Sequence, residues 1–355
     1  MRLLPVVVKR EASWRADSVL VIEAENRADT MVNLTVVFAG DGREVSVRVG
    51  IFPNWPVVLP LPFAACAGRT LFLPRTPGRF KAVVRGANLD PAAVQEIRVA
   101  AAPGAGESVV VSSVRVAEAM PEAFTFPPEP LVDGLHQWAA RAWPRKAAAL
   151  DEVRAELQGE LAAPAPAFPG PWSRFGGWMA LRFGSTGWFR TVHDGSRWWL
   201  ADPDGYAFWS IGVDCVRPSV PVNVTGIERV FDPPLPAPES AQHLWQSTNG
   251  MRVFEAMGHN LERLLGQRWQ PAWLELTRRR LMTYGFNTIG NWSAPELHVS
   301  ARLPYVFTMT GYPRAENALF RDFPDVFSDA FSRDADRWAQ QLLPVHDDRF
   351  LLGYF

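Results

Sequence analysis

Residues 119–133 read AMPEAFTFPPEPLVD, and four prolines within ten positions forbid a continuous helix or an interior sheet strand there. The segment reads as a connector. It divides the 355 residues into a part patterned for strands alone and a part in which strands and helices alternate. At roughly 100 to 200 residues per domain the length suits two modules. The expected organisation is a β-sandwich over 1–118, a Pro-rich connector with one helix over 119–171, and a strand-and-helix module over 172–355.

The first part consists of short extended runs punctuated by turn residues: SVLVIEAEN, VNLTVVFAG, EVSVRVGIF, GRFKAVVRG, VQEIRVAAA and SVVVSSVRVA. Asp41-Gly42 lies between two such runs and signals a tight hairpin, and Pro103-Gly104-Ala105-Gly106 is expected to turn the last one. Closely spaced strands without helical periodicity imply a β-sandwich of the jelly-roll sort. In the connector, Pro144 stands at the first position of an expected helix whose stripe is Leu150, Val153, Leu157 and Leu161.

From Gly187 three extended runs, GWFRTVHDG, RWWLADPDG and YAFWSIGVD, are joined by Asp194-Gly195 and Asp204-Gly205 turns. The last is almost continuously apolar from Ala207 to Val213, as in a parallel strand buried on both faces. Helical stripes follow at Val253, Met257, Leu261 and Leu264, and at Trp273, Thr277, Leu281 and Tyr284. The second is opened by Pro271 and closed by Gly285. FNTIGNW and PYVFTM read as strands, Phe331, Ala335, Trp338 and Leu342 as a helix face, and RFLLGYF as a fourth core strand. Strand and helix in alternation predict a parallel sheet. Four strands are too few for a closed eight-stranded barrel, which typically takes about 250 residues. The pattern fits either a smaller doubly wound sheet or the front part of a longer protein.

Charge excludes some partners. Lys plus Arg is 36 and Asp plus Glu 37, a net charge of −1. Neither nucleic acid nor an anionic membrane is expected to bind, and a neutral ligand suits the balance better. Two cysteines, Cys66 and Cys215, make no disulfide framework and are expected to be buried thiols. The start, MRLLPVVVKREA, lacks the layout of an export signal, and no run of eighteen apolar residues reads as a membrane span. The histidines His136, His193, His243, His259, His298 and His346 show no metal-ligand spacing. Glycine-rich phosphate loops and a Gly-x-Ser-x-Gly elbow are absent, so no cofactor or metal is expected. Arg278-Arg279-Arg280 reads as a solvated helix face. The 15 tryptophans are the compositional extreme, and an indole offers both a flat apolar face and a polar edge to a sugar ring.

The run TGWFRTVHDGSRWWLADPDGYAFWSIGVDCVRP at 186–218 resembles the entrance to the catalytic domain of β-agarase-like glycoside hydrolases. GHNLERLLGQRWQPAWLELTRRRLMTYGFNTIGNWSAPEL at 258–297 resembles the first barrel helix and second strand of that family, and FPDVFSDAF at 323–331 its third βα segment. GRFKAVVRGANLDPAAVQEIRV is similar to part of the jelly-roll, carbohydrate-binding-like module that precedes the barrel. The resemblance implies an N-terminal β-sandwich followed by the first half of a (β/α)8 TIM barrel. It also implies a galactan-type polysaccharide or oligosaccharide as partner, and family members are often exported. In the family a strand resembling LLGYF is followed by an Asn-Glu pair carrying the general acid/base, with the nucleophilic Glu further on. No Asn-Glu dipeptide occurs in this sequence, so both catalytic Glu residues are expected beyond Phe355 and this chain alone is expected to be inactive.

Retaining hydrolysis needs two carboxyls about 5 to 5.5 Å apart. Barrel chemistry sits where strands end, and five residues qualify by position as substrate-binding: Asp214, Arg217, Asn291, Trp292 and Asp325. Asn291 and Trp292 offer an amide and an indole together, while Arg217 is placed to pair with Asp214. A non-catalytic carbohydrate-binding or scaffold protein remains the alternative.

Overall fold

Successive side chains of a strand point to opposite faces of its sheet, so each N-terminal strand can turn one face to the core. In the computed structural model, which describes residues 4–67, 80–86, 88–121, 130–314, 318–320 and 323–355, these are β1 (Val6–Lys9), β2 (Val19–Asn26), β3 (Val32–Gly40), β4 (Arg43–Ile51), β5 (Trp55–Pro62), β6 (Ala82–Gly86), β7 (Glu96–Ala101) and β8 (Val109–Ala117). They form two antiparallel sheets, ordered β1-β7-β3-β4-β6 and β5-β2-β8. Leu34, Val36 and Phe38 of β3, Val45, Val47 and Val49 of β4, Leu20 and Ile22 of β2, and Val57, Leu59 and Leu61 of β5 meet in a single apolar core. That is a sandwich.

Asp41 and Gly42, both at positive φ (49° and 71°), join Gly40 to its cross-strand partner Arg43 in a two-residue hairpin whose twist matches the strands. The Pro103–Gly106 turn is not a hairpin. β7 pairs with β1 and β3 whereas β8 pairs with β2, so the chain crosses there from one sheet to the other. β5 carries Pro56, Pro60 and Pro62 and sits at a sheet edge. Those three positions share one parity, so the missing N–H groups all fall on the unpaired side of the strand.

The chain splits into two compact units, 1–144 with 222–254, and 145–221 with 255–355. Residues 122–129 of the Pro-rich connector, and residues 78, 79 and 87 of the stretch similar to the jelly-roll module, lie outside the described residues.

In the second unit the connector helix, α1 (Leu150–Ala162), begins six residues beyond Pro144, after an extended Ala149. Next come β9 (Trp178–Arg182), β10 (Arg190–His193), β11 (Trp198–Ala201) and β12 (Tyr206–Phe208), an antiparallel sheet ordered β10-β11-β12-β9. Then β13 (Gly212–Val213) opens a parallel sheet. The apolar run from Ala207 to Val213 is therefore not one buried strand: its two ends belong to different sheets, and Trp209 and Ile211 between them are exposed. The break is held by the buried Asn287, whose Nδ2 donates to Trp209 O (2.9 Å) and Gly176 O (3.0 Å) and whose Oδ1 accepts from Ile211 N (2.8 Å).

The next three strands in the chain, β14 (Pro221–Asn223), β15 (Trp245–Thr248) and β16 (Met251–Glu255), form an antiparallel sheet ordered β14-β16-β15 whose residues 222–254 belong to the first unit. Val253 lies in β16, so the stripe read from Val253 to Leu264 begins as strand, and α2 (Ala256–Leu265) starts only at Ala256. After it come α3 (Gln270–Thr283), β17 (Thr288–Ile289), α4 (Pro295–Ser300), β18 (Tyr305–Phe307), a short hairpin of β19 (Ala318–Phe320) and β20 (Phe323–Pro324), α5 (Asp329–Ala339) and β21 (Leu351–Tyr354). β13, β17, β18 and β21 lie side by side in that order, every pair parallel. Ile289, Tyr305, Trp273, Leu281, Leu297 and Phe350 fill the core that joins sheet to helices.

Leu157 of α1 packs on Leu264 of α2 and Leu276 of α3. The Arg278–Arg280 triplet is not a solvated face. Arg279 Nη1 donates to three carbonyls at the C-terminal end of α1, Glu160 O (3.2 Å), Ala163 O (2.7 Å) and Pro164 O (3.2 Å). That end carries the negative pole of the helix and carbonyls without a partner inside it, which a cation satisfies. Arg280 forks onto the Glu160 carboxylate (2.8 and 2.7 Å), whose pKa its hydrogen bonds pull below the usual range. No helix among the described residues is long and apolar enough to cross a membrane.

Candidate functional site

Parallel strands all expose their C-terminal ends on one side of a sheet, and side chains just past those ends converge. Past β13 stand Asp214 and Cys215; past β17, Gly290, Asn291 and Trp292; past β18, Thr308; past β21, Phe355. Adjacent ends are stitched by hydrogen bonds. The Asn291 N–H donates to Asp214 Oδ1 (2.9 Å), and the Cys215 N–H donates back to Asn291 O (2.8 Å). One strand further on, the Trp292 N–H donates to Thr308 Oγ1 (2.8 Å), and the same hydroxyl donates to Asn291 Oδ1.

Gly290 makes the junction possible. A Cβ there would stand 2.1 Å from Asp214 Oδ1 and 2.9 Å from Val213 O. Only glycine lets the Asp214 carboxylate lie against the β17 backbone.

Three of the expected site residues come together. Asp214 is exposed with one oxygen committed to Asn291 N. Asn291 is buried, and its Nδ2 has no hydrogen-bond partner among the described residues. Trp292 adopts φ 57°, uncommon for a bulky residue; the residue is 50 % exposed and its ring is in an edge-on contact with Phe355, centroids 5.2 Å apart at 70°. Cys215, also at positive φ (60°), turns out of the strand and is exposed rather than buried. Cys66 is buried in the sandwich core, and desolvation pushes its thiol up to about 12.

The other two stand apart from this hydrogen-bonded group. Arg217 is exposed, and no ion pair joins it to Asp214 among the described residues. Asp325 lies in the turn before α5, where Oδ1 accepts from Phe327 N (3.1 Å) and its carbonyl from Ser328 Oγ (2.8 Å). Ser328 in turn caps α5 by accepting from Phe331 N. Asp325 therefore shapes a helix start.

Two further features bear on the site. The tryptophan pair that opens β11, an inner strand of the antiparallel sheet, divides its roles: Trp198 is exposed, while the Trp199 indole N–H donates to Asp194 Oδ2 (2.6 Å) and, with the Arg197 and Ser196 N–H groups, holds that carboxyl far below its ordinary range. Thr308 and Gly290 were not singled out by sequence reasoning. The place of Thr308, just past the strand PYVFTM, was the available signal. No group of three or more metal-binding side chains is assembled among the described residues.

No protein-family model matches the chain. In sequence it is similar to β-agarase B of Vibrio sp. (strain JT0107), 27% identical over 253 residues that make up 62% of this chain and 24% of the relative. It is also similar to β-agarase A of the same strain, 28% identical over 185 residues, 44% of this chain and 18% of that one. The chain thus spans about a quarter or less of the length of these curated relatives. Among solved structures, PfGH50B and an agarase, AgWH50C, each superpose with a TM-score of 0.61 at 20% identity, and an exo-β-agarase does so with 0.60 at 19%. Each superposition covers 99% of this chain and 58% of the other. In sequence over three-fifths of its length and in fold over nearly all of it, the chain resembles the β-agarases.

Proposed function

We propose that the chain is the substrate-binding part of a glycoside hydrolase acting on agar-type galactan. In this reading the parallel sheet is the opening half of a (β/α)8 barrel, the sandwich is the carbohydrate-binding-like jelly roll that accompanies it, and Asp214, Asn291 and Trp292 line the substrate cleft, with Arg217 and Asp325 at its margin. The observation that carries it is the junction at the strand ends: a carboxylate, an unpartnered amide donor and an exposed indole face tied together by the Asn291 N–H to Asp214 Oδ1 bond. A pyranose ring needs those groups, an apolar surface for its C–H face and a few fixed donors and acceptors for its hydroxyls.

Hydrolysis in this reading follows the retaining route, with one carboxyl as nucleophile and a second as acid, then base. Asp214 serves binding in this scheme, since one of its oxygens is already held by a backbone N–H. The 355 residues are accordingly expected to bind agarose oligosaccharides without releasing reducing sugar. Affinity electrophoresis of the chain through gels containing agarose oligosaccharide or dextran tests the reading. Retardation by the galactan alone supports it, and equal mobility in both gels contradicts it.

A further inference from the structure

We infer that Thr308 is the positioning residue of this cleft, holding the Asn291 amide and the Trp292 indole together in the arrangement that meets a neutral, hydroxyl-rich ring. The inference rests on the cleft reading above and adds to it a residue outside the set that contacts ligand. Thr308 stands just past β18, one strand over from the residues it serves. Its single hydroxyl works in both directions: Oγ1 accepts from the Trp292 N–H at 2.8 Å and donates to Asn291 Oδ1. A hydroxyl can do both because it is donor and acceptor at once, and the β-branch leaves few rotamers in which to lose the geometry.

Each bond fixes one element of a sugar site. Anchoring Oδ1 sets the plane of the Asn291 amide and with it the direction of Nδ2. That group is buried in a residue only 6% exposed and finds no acceptor among the described residues. A buried donor left unsatisfied is costly, and a ligand oxygen relieves the cost. The other bond pins the Trp292 backbone, whose φ of 57° is unfavourable for a bulky residue unless the surroundings hold it. Phe355 supports the indole from its edge. Donor direction and platform orientation thus depend on one oxygen atom.

Calorimetric titration of the full 355-residue chain with an agarose tetrasaccharide tests this. It compares wild type, Thr308→Val, Thr308→Ser, Asn291→Ala and the Asn291→Ala/Thr308→Val pair, each well below its melting transition as followed by circular dichroism. Valine keeps the shape and deletes the hydroxyl, and is expected to weaken binding about tenfold. Serine restores the hydroxyl and is expected to return affinity to within about threefold of wild type. In the Asn291→Ala background the valine change should cost less than it does in the wild type, because one of its two dependants is gone. Tetrasaccharide binding by Thr308→Val at wild-type strength, failure of serine to rescue, or the same valine loss in both backgrounds overturns the role of Thr308 while leaving the cleft in place. A folded wild-type chain that binds no tetrasaccharide overturns the cleft reading itself.

Discussion

Replacing Asn287 by alanine is expected to loosen the second unit at the point where its antiparallel and parallel sheets meet. The Asn287 side chain makes three hydrogen bonds to backbone groups of other segments, two donated to Gly176 O and Trp209 O and one accepted from Ile211 N. Alanine leaves all three groups without their partner. The Gly176 bond is buried and the other two are partly so. A buried polar group stranded in this way costs about 1 to 3 kcal/mol, and partial access to water reduces the figure for the other two. The total loss is expected to be about 3 to 5 kcal/mol. For a unit of this size about 1 kcal/mol moves the transition by roughly 2 to 4 °C, so the melting temperature should fall by about 10 °C. Differential scanning calorimetry reads the shift directly. Asn287→Asp is the informative companion, since it keeps the volume and the acceptor but replaces the NH2 group, with both its donors, by one oxygen that faces two carbonyls. It should destabilise at least as much as alanine. A loss below about 1 kcal/mol for alanine, or an aspartate variant as stable as wild type, would refute the reasoning that Asn287 holds β13 in place.

Three further outcomes follow from the geometry. Arg279→Ala should destabilise the α1 and α3 packing by about 2 kcal/mol in urea titration, and Arg279→Lys should recover only part of that, because a single ammonium cannot at once reach the carbonyls that Nη1 bonds and the Glu275 carboxylate that Nε bonds. His298 is buried and stacked on Tyr305 at 4.2 Å, and desolvation drives its pKa below the ordinary 6.5 against the opposing pull of Asp348 and Glu296. The unfolded chain therefore takes up the proton first as pH falls, so stability should drop below pH 6.5 and level off once the folded histidine titrates, and His298→Phe should flatten that segment of the pH profile. With Cys215 exposed and Cys66 buried with its thiol pushed up to about 12, a colorimetric thiol reagent at mildly alkaline pH should titrate one cysteine in the native protein and two in denaturant.

Much of the fold is legible in the sequence where one periodicity rules. The alternation in VNLTVVFAG and EVSVRVGIF needs no more than a two-residue turn between them to become β3 and β4. Pro271 and Gly285 mark the limits of α3 to within a residue or two. Legibility fails where a side chain far away in sequence decides the outcome. Nothing in YAFWSIGVD reveals that Asn287, more than seventy residues on, interrupts the run and hands its end to another sheet. The arginine triplet looks solvated until α1 is seen to end against it. β5 carries three prolines and stays a strand because its parity and its place at a sheet edge make the missing donors harmless. At the candidate site, Asp214, Asn291 and Trp292 are readable as residues that follow parallel strands. Thr308 and Gly290 are not, since their roles depend on the register between neighbouring strands, which local patterning leaves open.

The exposed indole of Trp292 is where binding at the strand ends can be measured most simply. Calorimetric titration of the 355-residue chain and of its Trp292→Ala variant with an agarose tetrasaccharide should show saturable binding to the wild type and about a tenfold or greater loss in the variant, with melting temperature little changed. Absence of binding by the folded wild-type chain, or equal affinity in the two proteins, would contradict the assignment of this strand-end junction as a galactan cleft.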